Sequence, residues 1–464
     1  MNIFVSLIII VVLFAGIFLF KSPKSARLAN IIAAFSMLLA IIYIFSYNNF
    51  EKEYLIIISI IVGSLFGYIA AIMVDMTLVP AMVAFQHGMG GIAAFIVAYI
   101  ELTKTINTVQ VFEYTAGIIS IIVGAATFSA SMIASLKLSG KIKQTPVILK
   151  LHNVLLCVIL IIAIITGFNI INFSSTQLHT GIIFLICISI IFGIFFSIRI
   201  GGADMPVLIS FLNATAGLAA AFCGIILHNS LLIAFGATVA ASGSVLTYVM
   251  CKAMNRSLLN IFIGYKIKNI KTSKKEEMTD GIEIEPANYE SFEDRIKKAV
   301  NILKEANNVI IIPGYGMALA HAQFEVKQLA DLLINLGKEV KFAIHPVAGR
   351  MPGHMNVLLA EAEVPYDKLY EMDAINDKFK EIDATVIVGA CDVVNPAAVQ
   401  TEGTPISGMP ILNAHESKNV LILNFDEKPG YSGVENPLYK NKKCIKLFGD
   451  AKATLKKIIA FFNV

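Results

Sequence analysis

A chain of 464 residues that is 56% hydrophobic and 15% charged falls well short of the roughly 25% charge of an ordinary soluble protein. The deficit lies in residues 1–250, whereas 265–464 have soluble composition, so two regions facing different solvents are expected under an overall mean hydropathy of +0.74. A net charge of +4 without clustering gives no support for nucleic-acid binding. Cys157, Cys187, Cys223, Cys251, Cys391 and Cys444 show no metal-ligand spacing and read as small buried hydrophobes, with no metal expected.

A bilayer crossing needs roughly 20 mostly apolar residues. Nine stretches qualify, near 3–20, 28–46, 54–74, 79–100, 114–136, 151–172, 178–200, 206–228 and 230–250. The N-terminus is apolar at once and has no small-residue cleavage site, so it reads as a first span rather than a removable signal. One set of alternate loops holds Lys21, Lys24, Arg27, Lys137, Lys141, Lys143, Lys150 and Arg199; the other holds only Lys52 and Lys104. Basic loops stay in the cytoplasm. The N-terminus is therefore expected outside and, after nine spans, the C-terminal region in the cytoplasm.

His87, in PAMVAFQHGMGGIAAF, is the one ionisable group well inside a span. It lies about 12 Å from the cytoplasmic end of its helix, and Ser131, Asn213 and Ser244 lie roughly 8–10 Å from the ends of theirs. Two readings stand side by side. The four form a polar layer for a proton, with His87 titrating, or they hydrogen-bond backbone and join helices. The small residues around them (GMGGIAA, NATAGLAAA, GATVAASGS) call for close helix packing either way. Asp204, in RIGGADMP, sits between two spans, as a loop ion pair with Arg199 or as an interfacial acid.

CKAMNRS closes the last span, which bounds a transmembrane domain at 1–254. Residues 255–291 include the polar run NIKTSKKEEMTDGIEIEPANYES and read as a linker. From 292 to 464 helices alternate with strands. A helix near 292–306 precedes strand 308–312, and helix 317–336 precedes strand 339–344. A helix starts near 356, strands follow at 384–390, 419–424 and 444–448, and a final helix ends the chain. That alternation predicts an α/β, doubly wound parallel sheet of Rossmann-like type, with ligand at the carboxyl ends of the strands.

Four loops fall there. PGYGMAL carries Gly314, Tyr315, Gly316, Met317 and Ala318, a tight turn into a helix that suits a pyrophosphate; its sixth position is Leu319, where the full fingerprint has glycine. HPVAGRMPGHMN carries Val347, Ala348, Gly349 and Arg350, whose guanidinium could grip a pyrophosphate. GACDVVNPAA carries Gly389 and Asp392, with Asn395-Pro396 fixing the turn behind. KPGYSGVENPL carries Lys428, Gly430 and Tyr431 in a loop long enough to fold over a ligand.

These stretches, together with MVAFQHGMGGIAA, GAATFSASMIASLKLSGK, IGGADMPVLISFLNATAG and CKAMNRS, resemble the proton-translocating nicotinamide nucleotide transhydrogenases over almost the whole chain, as their beta subunit. The resemblance implies a nine-helix membrane domain and hydride transfer from NADH to NADP⁺ driven by inward proton movement. NADP(H) would bind to this chain and NAD(H) to a separate alpha subunit, in a dimer of the complex in the bacterial inner membrane. It assigns His87, Ser131 and Asn213 to the proton pathway; Asp204, at the cytoplasmic rim by its place between spans, and Asp392 join them as catalytic candidates. Gly314, Gly316, Arg350, Asp392, Gly430 and Tyr431 fall in the nucleotide site. One stretch departs: where the family carries Lys-Arg-Ser to hold the 2′-phosphate, this chain has Asn424-Phe425-Asp426-Glu427, and Asp426 would repel that phosphate unless Lys428 offsets it. The rival reading is a transporter or channel gated by a cytoplasmic nucleotide-sensing domain. It calls for a pore lined by more than one ionisable side chain.

Overall fold

Unbroken apolar runs in the first half can satisfy their backbone only as helices, and the computed structural model shows them so. It describes residues 3–20, 25–47, 50, 52–104, 111–143, 146–170, 175–263, 291–401, 404 and 406–462. Lys21, Lys24 and linker residues 264–290 lie outside the described residues. The chain forms two compact units, Met1–Gly201 with Leu208–Thr247, and Gly202–Val207 with Tyr248–Val464.

The first unit is built from α1 (Ile3–Leu19), α2 (Ala26–Tyr47), α3 (Glu53–Met73), α4 (Val79–Lys104), α5 (Val111–Leu138), α6 (His152–Ile170), α7 (Ser175–Ile198) and the greater part of α8 (Met205–Ile226) and α9 (Ser230–Ala253). Eight of these, α2 to α9, are long and apolar enough to cross a membrane; α1 is apolar but shorter. The central element is α5. Its small residues let neighbouring backbones come close, which is how helices associate where no water is squeezed out. A Cβ on Gly91 of α4 would lie 2.7 Å from the Gly124 carbonyl oxygen of α5, and one on Gly193 of α7 only 2.2 Å from that of Ala126. Polar bonds set the register of α5 against α8: Thr127 Oγ1 donates to Thr215 Oγ1 at 2.8 Å and Ser120 Oγ to the Ala219 carbonyl at 3.0 Å. Cys157 and Cys187 are exposed on the outer apolar surface, contrary to the expected burial, because α6 and α7 bury only part of their circumference.

Lys137, at the end of α5, is fully buried, and its ammonium donates to the carbonyls of Ser197 (3.3 Å), Ile198 (2.6 Å) and Ile200 (2.7 Å). It caps the C-terminus of α7, where orphan carbonyls and the helix dipole favour a cation. Arg199 and Asp204, for which a loop ion pair is one of two readings, each bond within their own unit. Arg199 donates to Asn153 Oδ1 at 2.6 Å, while Asp204 takes a two-pronged bond from Arg256 at 2.8 and 3.0 Å.

In the second unit a short helix, α10 (Leu258–Ile263), follows α9. After it come α11 (Phe292–Glu305), β1 (Asn308–Pro313), α12 (Tyr315–Leu319), α13 (Gln323–Asn335), β2 (Glu339–Ile344), α14 (His354–Glu361) and β3 (Leu369–Glu371). α15 (Met372–Ile375), β4 (Ala384–Val388), α16 (Ala397–Gln400), β5 (Asn419–Leu423), β6 (Cys444–Lys446) and α17 (Ala451–Phe462) complete it. The six strands form one parallel sheet in the order β3-β2-β1-β4-β5-β6. Its strands are apolar on both faces, as burial under helices on both sides demands. Val309, Ile311, Phe342, Val386 and Leu421 face α11, α13, α14 and α17, while Ile310, Ile312, Ile387 and Ile422 face Ile375, Phe379 and Val394.

Three details differ from expectation. The helix predicted over 317–336 is two helices: His321 takes φ 48°, His321 N–H bonds Ala318 O and Ala322 N–H bonds Met317 O, a Schellman stop before α13 begins. Strand 384–390 ends at Val388, because Gly389 turns to φ 67°. The edge strand β3 is three residues long, too short for any alternation to announce it.

Since Gly193 has no room for a methyl group, Gly193→Ala should destabilise the chain by about 1–3 kcal/mol as α7 is forced off α5. In detergent melts its midpoint should fall, whereas Gly63→Ala, on α3 with nothing within 4 Å, should leave it unchanged. Equal midpoints would rule out the close α5–α7 approach.

Candidate functional site

The site is assembled from loops at the carboxyl ends of β1, β2, β4 and β5. At the end of β1, Gly314 N–H donates to Val388 O at 2.8 Å and Gly316 N–H to Gly389 O at 2.8 Å. A Cβ on Gly314 would sit 2.3 Å from the Gly389 oxygen. The sequence reading assigned these glycines to a phosphate; their amides are instead spent on joining two strand-end loops. Met317 and Ala318 point into the core. What this turn presents is Tyr315, at the start of α12.

The loop after β2 brings Arg350 to that tyrosine. Val347 N–H donates to His345 Nδ1 at 3.2 Å, His345 Nε2 bonds Pro410 O at 2.8 Å, and Ala348 is buried, so the loop is rooted before it reaches Arg350. The guanidinium then lies 4.2 Å over the Tyr315 ring and its Nη2 donates to Tyr431 Oη at 3.2 Å. Tyr315 and Tyr431 stand with ring centroids 5.9 Å apart. Burial raises the Tyr315 hydroxyl pKa, against the Arg350 charge, so the ring stays neutral.

The loop after β5 is tied down rather than free. Asp392 Oδ2 accepts Ser432 N–H at 3.0 Å and Oδ1 accepts the Ser432 hydroxyl at 2.6 Å. Asn395 Nδ2 donates to Glu435 O at 3.2 Å and Asn436 Nδ2 to Cys391 O at 3.2 Å. Gly430 passes so close to Asp392 that a Cβ there would be 2.9 Å from the carboxyl group. Burial raises the Asp392 pKa, and the Ser432 and Tyr431 donors oppose it. Nothing in the run of letters singled out Ser432; Asn436 before Pro437 carried the only signal, a capping residue ahead of a helical turn.

At the tip of β5, Asp426 Oδ1 accepts Lys428 N–H at 3.1 Å, and the Lys428 ammonium lies 3.3 Å from Oδ2. Glu427 pairs with Lys446 at 3.0 Å. The two acids that depart from the family pattern are each matched by a lysine.

In the membrane unit, Gly88 of α4 faces Ser131 of α5; a Cβ there would be 3.1 Å from that of Ser131, which puts His87 at the same level. His87 Nδ1 and Ser131 Oγ are buried and have no hydrogen-bond partner among the described residues. The antiparallel α5–α8 register through Thr127–Thr215 places Asn213 within about one turn of the Ser131 level. Ser244 does not join them: it is exposed and its hydroxyl is used on the Ala240 carbonyl at 2.7 Å. Asp204 lies at the start of α8, paired with Arg256; burial raises its pKa and Arg256 opposes the rise.

Burial holds the pKa of both His345 and His354 down to about 4, from the ordinary 6.5. Groups with a depressed folded pKa contribute full stability above 6.5 and lose it as pH falls toward 4, because the unfolded chain takes up the protons first. The melting temperature of the C-terminal unit should therefore be flat from pH 8 to 6.5 and drop between 6.5 and 4. A flat profile over the lower interval would contradict buried neutral histidines.

Comparison with known proteins bears on the whole chain. The family model described as NAD(P) transhydrogenase beta subunit matches residues 2–461. NAD(P) transhydrogenase subunit beta of Rhodospirillum rubrum is 38% identical over 453 residues, covering 96% of this chain and 95% of that protein, and a second R. rubrum sequence of the same name matches equally. A match of this extent, carrying both the apolar helices and the parallel sheet, shows that the chain belongs to the NAD(P) transhydrogenase beta-subunit family.

Proposed function

We propose that this chain binds NADP(H) on its parallel-sheet unit and conducts protons through its helical unit. Hydride would arrive from NADH held by an alpha subunit. The observation that carries the reading is the convergence of Tyr315, Arg350, Tyr431 and the Asp392-anchored loop on one sheet edge. The strand order supports reading the sheet as Rossmann-like, in which case its ligand crevice would open where the order reverses, between β1 and β4. That is where Gly314 meets Gly389. The residues suit a dinucleotide: Arg350 offers a forked cation to a pyrophosphate, and the loop from Lys428 to Asn436 is bonded to Asp392, Asn395 and Arg350.

When bound, the nicotinamide supplies the hydride chemistry and needs no protein acid or base. The chain's task is position and coupling. Asp392 and Ser432 hold the loop, and Tyr315 and Tyr431 hold the guanidinium. His87 supplies the titrating group, with Ser131 and Asn213 beside it and Asp204 at the rim. His87 Nδ1 and Ser131 Oγ, buried with no hydrogen-bond partner among the described residues, are the polar atoms that would serve a proton carrier between α4 and α5. We take α1 as a ninth span, with domains 1–254 and 292–464 joined by 255–291. On the loop charges we take the N-terminus as outside and the nucleotide unit as cytoplasmic, and on the family resemblance we take the complex as a dimer in a bacterial inner membrane.

The deciding experiment places the full chain with its alpha subunit in sealed vesicles and follows reduction of an NADP analogue by NADH. An inward proton gradient should accelerate it, and His87→Ala should remove that acceleration. A gradient response retained by His87→Ala would make His87 structural.

Nucleotide choice has its own test. A 2′-phosphate at the tip of β5 must take Lys428 from Asp426 or Lys446 from Glu427. Asp426→Lys in the full chain should tighten NADP binding and barely change NAD binding. Wild-type chain that prefers NAD would overturn the NADP(H) assignment.

A further inference from the structure

His354 opens α14 and is 1% exposed. Its Nδ1 accepts the Arg350 backbone N–H at 3.1 Å, so that nitrogen carries no proton and Nε2 does. Nε2 is buried and has no hydrogen-bond partner among the described residues, so the Arg350 amide is the ring's polar tether there. The ring also occupies the space a side chain at Gly349 would need: a Cβ there would lie 2.6 Å from it, and Gly349 sits at φ 103°. On its other side the imidazole meets Tyr315 with centroids 6.3 Å apart. Arg350 is therefore held at two points, its amide by His354 and its guanidinium by Tyr315 and Tyr431.

We propose that His354 is a positioning residue of the nucleotide site, which fixes the Arg350 backbone by accepting its amide and so aims the guanidinium at a pyrophosphate. The inference rests on the nucleotide reading above. The turn from Gly349 to Gly353 has positive φ at both glycines, a backbone that is soft unless something inside pins it. His354 supplies the pin, from beneath. Its neutrality matters, since a proton on Nδ1 would set a donor against a donor. Burial and the Arg350 charge keep the ring neutral down to about pH 4.

The test titrates NADPH against the full chain in detergent, with thermal melts to verify folding. His354→Phe keeps the ring volume and removes the acceptor. His354→Asn puts an amide oxygen near the Nδ1 position. His354→Gln moves the acceptor one bond further out. Arg350→Ala and His354→Phe should each weaken binding about tenfold, the scale of one charge-assisted hydrogen bond. His354→Gln should bind as weakly as His354→Phe, and His354→Asn should recover to within about threefold of wild type. In the Arg350→Ala background, His354→Phe should add no further loss, because it acts through the arginine. Additive losses, or His354→Asn as weak as His354→Gln, would overturn the inference while leaving the nucleotide reading intact. Wild-type chain that binds no NADPH would overturn the nucleotide reading, and this inference with it.

Discussion

The meeting of two backbone loops at the carboxyl ends of β1 and β4 governs the soluble unit. Gly314 and Gly316 donate to Val388 and Gly389, which extends the parallel ladder past the last strand residues. The approach leaves no room for a Cβ on either side, and Gly389 must adopt a positive φ to allow it. From that junction α12 starts at a fixed angle and carries Tyr315 to the surface. From the same junction the chain leads, three residues past Gly389, to Asp392. The two anchors of the site are therefore positioned by one contact, and a methyl group at any of these glycines would move both.

From those anchors the remaining groups follow in a continuous series. Tyr315 supports the guanidinium of Arg350, Arg350 reaches Tyr431, and Ser432 next to it closes on Asp392. Such a ring of contacts orders the side chains before any ligand arrives, which lowers the entropy lost on binding. For a reaction between two nicotinamides, orientation is the main thing a protein can contribute. A site in which the aromatic, cationic and anionic groups already hold one another suits that task better than a set of independent mobile arms.

The helical unit treats its polar groups in two ways. Lys137 is saturated, with three carbonyls around its ammonium, and serves to bind the ends of α5 and α7 together. Thr127 and Ser120 are likewise used in register bonds to α8. His87 Nδ1 and Ser131 Oγ are buried at one level of α4 and α5 and make no bond among the described residues. Buried polar atoms without partners are costly and uncommon. Ser197 Oγ of α7 is also buried without a bond among the described residues, but His87 and Ser131 coincide at one level of neighbouring helices, and that distinguishes this part of the bundle.

Much of this was legible in the letters. Apolar runs of the right length located the helices of the membrane unit to within a few residues, because hydrogen bonding in an apolar medium leaves few alternatives. Strand and helix alternation gave the parallel sheet, and its strand-end loops contained Tyr315, Arg350, Asp392 and Tyr431. Sequence alone could not say which atoms those residues would use. Gly314 and Gly316 read as phosphate ligands, yet their amides close the β1–β4 junction, since a glycine pattern reports available space and not its occupant. Ser244 read as a member of the polar layer, but spacing along a helix gives depth and not azimuth, and its face turns outward. The partner of Asp204 is Arg256 rather than Arg199, and His354 beneath Arg350 drew no notice. Periodicity and composition, which are local, determined the elements; pairing across 40 or more residues, as in Asp392 with Ser432 or Asp204 with Arg256, was decided only when packing brought distant segments within hydrogen-bond reach.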